Sequence, residues 1–163
     1  PFAKRASECA RWIHNKKKSA VVAVCLPEEM PVNETIELSA NLDQAVGRPL
    51  DLTLVNMVHP RPFPARFNKE FVKSSKDVGA ADDPTGVLVG SDDGTARVLA
   101  GNVLAMSWYN RDREYLDLLH ARLSAEIVEL PMVYETEESD IVHRIARFLN
   151  AENATTETMA SAE

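Results

Sequence analysis

The sequence predicts an α/β fold, a partial parallel sheet flanked by helices, and three observations carry that reading. Residues 20–26 and 51–58 are almost wholly apolar, and each run gives way to polar loop residues, Pro27-Glu28 in the first case and Asn56 onward in the second. A helical pattern lies between them, which makes a β-α-β unit. A shorter apolar run, Ile127 to Leu130, stops at Pro131 and supplies a third strand. Strands this apolar are expected to be covered on both faces, with a right-handed crossover between them.

The elements follow in order. Phe2, Ala6, Cys9, Ala10 and Ile13 recur at helical spacing, so a first amphipathic helix over residues 2–15 is expected to pack one face on the sheet. A second helix is expected from Asn33, as N-cap, to Val46, with Gly47 at its stop and Ile36, Leu38, Leu42 and Val46 as its apolar stripe. Residues 59–65 contain three prolines and form a loop. Phe67, Phe71 and Val72 mark a short helix to Lys76, followed by a mobile linker over 77–86. The stretch 86–100 reads as a small hairpin turning at Asp93-Gly94, so 59–109 is expected to be an irregular insert. Asp92 and Asp93 lack the full calcium-loop pattern and read as turn residues. A third helix is expected over 110–125 and a last one from Ser139, leaving 151–163 as a disordered tail after a domain over 1–150.

Composition narrows the class. With 163 residues, 45% of them hydrophobic, the chain is long enough to bury a core. A net charge of -7 argues against nucleic-acid binding, because phosphate affinity rests on clustered Lys and Arg. The one basic cluster, Lys16-Lys17-Lys18, reads as a helix end. No apolar run approaches the roughly 18 residues of a membrane span, and no signal-peptide pattern opens the chain. Cys9 and Cys25 form no CxxC pair, and Cys25 falls in an apolar strand as a small buried hydrophobe, which suits a reducing, cytoplasmic setting. His14, His59, His120 and His143 show no metal-ligand spacing. The first strand has no partner strand upstream, and the chain begins at Pro1, which predicts a fragment of a longer protein.

None of the six glycines precedes a lysine, so the chain contains no Gly-Lys-Ser/Thr phosphate loop. Residues 19–58 and 127–149 nevertheless resemble the C-terminal half of the ArsA-like ATPases, the arsenite-pump and tail-anchored-protein-targeting family. The pieces that match are the strand with Pro27-Glu28, the Glu34-Thr35 that follows, the strand ending Val55-Asn56, and the late strand ending Leu130-Pro131. The region 61–109 is only loosely similar. The resemblance implies the C-terminal part of a deviant P-loop NTPase domain of the SIMIBI type, a dimer, and an ATP site with magnesium bound outside this chain. It also implies a membrane-protein or anion client. The nucleoside end of that site would involve Glu28, Asn56 and the loop Pro131, Met132 and Val133. An Asn side chain both donates and accepts, so Asn56 suits the edge of adenine, though it also suits a strand cap or Asx turn. Glu28 would accept from the nucleotide or orient a neighbouring loop, or it is simply a surface residue after a strand. Pro131, Met132 and Val133 would wall the base. The family usually has a Gly in the loop where this chain has Tyr134, Glu135, Glu137 and Glu138.

The leading expectation is therefore an ATPase in which this chain supplies adenine recognition and is inactive alone. The alternative is a non-enzymatic α/β interaction module that pairs with an ATPase-like partner through its first helix and exposed sheet edge. A flavodoxin-like or Rossmann enzyme is disfavoured, because no glycine fingerprint follows any strand.

Overall fold

In the computed structural model, residues 2–160 are described, those from 151 onward by backbone alone; where a disordered tail was expected over 151–163, the last helix (Glu138–Ala160) covers 151–160, and 161–163 lie outside the described residues. The chain divides into two compact units: Pro1–Val58 with Leu119–Glu163, and His59–Leu118.

The first unit holds a three-stranded parallel sheet in the order β1 (Val22–Cys25), β2 (Leu52–Val58), β3 (Glu126–Pro131). Val22 aligns with Leu52 and Cys25 with Val55, while Leu52 aligns with Glu126 and Val55 with Glu129. The central strand is the best covered, with Thr53 and Val55 fully buried. β1 departs from the expectation of two covered faces. Ala23 and Cys25 are buried, but Val22 and Val24 are 45% and 65% exposed. An apolar run fixes what a strand is able to bury, and here α2 (Glu29–Val46) packs on only one face of β1.

α2 begins at Glu29, four residues before the expected Asn33. Pro31 sits in its first turn, where a missing N–H costs no intrahelical bond. Val32 and Thr35 are its buried residues, while Leu38 of the expected stripe is 47% exposed. Gly47 ends the helix as expected: its φ of 65° is the left-handed conformation that glycine adopts without a Cβ penalty, and its N–H donates to the Asp43 carbonyl at 2.8 Å. α1 (Phe2–Ile13) forms as expected but buries none of its residues, so the expected packing on the sheet is corrected; Phe2 is 85% and Trp12 65% exposed. An amphipathic stripe determines which face a helix will bury and not whether a partner is present.

What ties the amino edge of this unit together is polar. Arg48 is 2% exposed, and its guanidinium donates to the carbonyls of Ile13 and Ser19, to the Ser19 hydroxyl at 2.9 Å and to Asp51 Oδ2 at 2.7 Å. The same Asp51 oxygen accepts the Val21 N–H at 2.7 Å. That backbone bond, and then the Arg48 guanidinium, hold the Asp51 carboxyl below its usual range, with desolvation opposing them.

In the second unit, α3 (Asn68–Asp77) matches the expected short helix. The expected linker is instead a tight turn: Gly79 has a φ of 73°, its carbonyl accepts the N–H groups of Asp82 and Asp83, and Ala80 is fully buried. The expected hairpin over 86–100 is wrong. α4 (Pro84–Gly90) and α5 (Gly94–Arg122) occupy it, and α5 also absorbs the helix expected over 110–125. Asp83 caps α4 by accepting the Gly86 N–H at 2.8 Å, with Pro84 at the first helical position; Asp93 accepts the Thr95 N–H at 2.8 Å at the start of α5. Asp-Gly serves a hairpin turn and a helix start equally well, and the small residues Ala96 and Ala100 are buried as helix-packing positions. None of the described helices is long and apolar enough to cross a membrane.

Two outcomes follow. Val55→Ala should lower unfolding free energy by about 2 kcal/mol in urea titrations, whereas Val24→Ala should change it by less than about 0.5 kcal/mol. Because the folded pKa of Asp51 is depressed, its contribution is present above the usual carboxylate range and is lost as pH falls through the folded value. Asp51→Asn should therefore flatten the stability profile below about pH 4, measured by thermal unfolding at several pH values.

Candidate functional site at the carboxyl edge of the sheet

Parallel register brings the three strand ends level, since Cys25, Val55 and Glu129 align across the sheet. Glu28, Asn56 and the segment Pro131 to Val133 consequently share one edge of the first unit. In α/β sheets that edge is where ligand-binding loops gather.

Glu28 occupies the N-cap position of α2 with an extended backbone, and its carbonyl accepts the Val32 N–H at 3.1 Å. Its side chain makes no capping bond and is exposed. The carboxylate is thus held at a helix start without being consumed by it.

Asn56 does not end the strand, as the sequence suggested; β2 continues to Val58. Between the pairs Val55 with Glu129 and Val58 with Pro131, β2 advances three residues where β3 advances two, which is a bulge at Asn56-Met57. Met57 has a φ of 62°, the sole positive-φ residue other than glycine among the described residues. A side chain in that conformation costs roughly 1 kcal/mol or more, and such strain gathers where a chain is shaped for a task. Asn56 is half-buried, and among the described residues its side-chain amide makes no hydrogen bond. Pro131 pairs with Val58, and the Met132 N–H donates to the Val58 carbonyl at 2.8 Å, so the third strand end is fastened directly beyond the bulge. Pro131, Met132 and Val133 are all half-buried, and Tyr134 beyond them is 68% exposed. Glu135 in this acidic stretch accepts from Arg144.

The second unit contains an arrangement that no spacing in the sequence signals. Asp112, fully buried on α5, accepts both the backbone N–H and the Nδ1 of His59, at 2.7 and 2.8 Å, on one oxygen. Arg111 approaches its other oxygen at 3.3 Å, and the His59 ring lies 5.4 Å from that of Trp108. The partners are 53 residues apart in the chain, and no local pattern links them.

Cys25 is buried as expected, and burial pushes its thiol pKa up, with the Thr35 hydroxyl partly offsetting this; Cys9 is exposed on α1. Neither belongs to a group of metal-ligating side chains among the described residues. No protein-family model matches the chain, and no curated protein matches it in sequence.

A thiol reagent should label one cysteine per native chain, and two once the chain is unfolded. Cys9→Ser should abolish the native reaction, as read by absorbance and by mass of the labelled peptide.

Proposed function

We propose that this chain supplies the nucleoside-binding side of an ATP site, as the C-terminal part of a cytoplasmic ArsA-like ATPase, with the phosphate loop and magnesium site contributed by residues outside these 163. The observation that carries this is the Asn56 amide. It is half-buried, without a hydrogen-bond partner among the described residues, and set on a strained bulge at the carboxyl end of the central strand. A paired donor and acceptor left open at that position suit the edge of an adenine base, which offers an amine beside a ring nitrogen. Pro131, Met132 and Val133 supply an apolar wall on the neighbouring strand end, and the exposed Glu28 carboxylate supplies an acceptor on the other side. These residues select and hold. Phosphoryl transfer needs a phosphate cradle and a metal, and the sequence carries no Gly-Lys-Ser/Thr loop for them.

The reading as an interaction module is favoured by a separate observation: α1 and the outer face of β1 present Phe2, Trp12 and Val24 to solvent. A second ArsA-like subunit, or the remainder of the same ATPase, would cover them, so pairing is compatible with nucleotide binding. The client is a membrane protein or an anion by resemblance alone.

Saturation-transfer NMR with adenosine should show contact at the H2 and H8 ring protons. Asn56→Ala should weaken that contact about tenfold, the scale of one lost bidentate pair, while leaving the thermal midpoint nearly unchanged. Signal of equal strength in both chains, or none in either, would exclude adenine recognition at this edge.

A further inference from the structure

The geometry points to a phosphate-binding site in the second unit, formed by His59 and Arg111 on the two oxygens of the buried Asp112. A carboxylate only accepts, so the contact at 2.8 Å requires Nδ1 of His59 to be the donor. The opposite ring nitrogen, Nε2, is then the one left to interact. His59 is 18% exposed, and among the described residues Nε2 has no hydrogen-bond partner and is not sealed from solvent. Arg111 is 44% exposed and spends one of its five N–H groups on Asp112. Two nitrogen-bearing side chains are therefore held through one immobile carboxylate, each with hydrogen-bonding capacity directed elsewhere. Asp112 acts as a positioning residue for both.

Neighbouring cations are already engaged. Arg61 donates to the Phe63 carbonyl at 3.0 Å and to Asn68 Oδ1 at 2.8 Å, with its guanidinium 5.6 Å from the centre of the Tyr109 ring. Arg113 lies 5.7 Å from the centre of the same ring. These contacts hold Arg61 and Arg113 in place, which leaves ligation to His59 and Arg111.

Phosphate suits the pair better than an anion without a titrating hydrogen. Nε2 accepts the acidic hydrogen of a hydrogen phosphate or, when protonated, donates to a phosphoryl oxygen; Arg111 donates in either case. Trp108, 41% exposed, stands beside the imidazole with its ring centre 5.4 Å away. The ligand is thus free phosphate or the phosphate of a small metabolite such as a nucleotide.

Inorganic phosphate should be titrated into the full 163-residue chain, with the His59 ring protons and the Trp108 indole followed by NMR. Saturable shifts are expected, and His59→Gln and Arg111→Gln should each weaken binding about tenfold, whereas Lys73→Gln should leave it unchanged. Circular dichroism checks folding, and the exposed Arg111 keeps the test decisive if the His59 variant is unstable. AMP in place of phosphate identifies the source: tighter binding than phosphate, with the same dependence on both residues, assigns a nucleotide. Linear shifts without saturation, or equal weakening in Lys73→Gln, would overturn the site. Adenosine, which has no phosphate, reports on Asn56 alone, so the two readings fail separately.

Discussion

The buried guanidinium of Arg48 is the constraint on which the sheet's geometry rests. It receives the last carbonyl of α1, the backbone and hydroxyl of Ser19 ahead of β1, and the Asp51 carboxylate at the entrance to β2. Through Asp51 it also fixes the Val21 N–H. Three chain segments therefore meet at one planar fork, which an ammonium group could not reproduce. Setting Val21 against Asp51 sets Val22 against Leu52, and parallel pairing carries that register up the strands to Cys25 and Val55. The level strand ends at the opposite edge are a downstream result. The arrangement is not complete, since Nε of Arg48 is buried without a partner among the described residues. A buried charge held by several oxygens tolerates such a defect, because the Asp51 carboxylate compensates the charge itself.

The strands were legible because near-continuous apolar runs are rare outside buried sheets, and the stop of α2 was legible because Gly47 has few other uses after a helical stripe. The errors have physical causes. Asn33 looked like the N-cap of α2, yet the helix starts at Glu29, with Pro31 in a first turn where it has no bond to lose. Asp93-Gly94 looked like a hairpin turn, yet the Asp oxygen that would close the turn instead caps a helix. The apolar face of α1 looked like a buried face, yet amphipathicity describes one partner of a contact and leaves the other unspecified. In each case a local signal had two meanings, and the choice between them was made by tertiary context.

At the carboxyl edge, the sequence marked where β1 and β3 stop, but neither that β2 runs on past Asn56 nor how it is shaped there. No residue type at 56–57 announces a bulge, because Met is among the residues least expected at positive φ. The His59–Asp112 pair was beyond reach for a different reason. A histidine in a proline-rich loop and an aspartate in the middle of a long helix are each unremarkable until the fold places them 2.8 Å apart. What the sequence reading treated as an irregular insert is a helical unit in which Ala80, Ala96, Ala100 and Leu116 are buried.

The left-handed residue at Met57 has an evolutionary and engineering consequence. Glycine or asparagine there would relax the backbone, so selection for stability alone would favour replacing Met57. Such a change would also release the constraint that presents Asn56, loosening the strand end it belongs to. Under the adenine-binding role proposed for Asn56, position 57 is a place where thermostability and recognition pull in opposite directions, and a stabilised variant recovered there would record how much of the fold's free energy is spent on shape rather than on persistence.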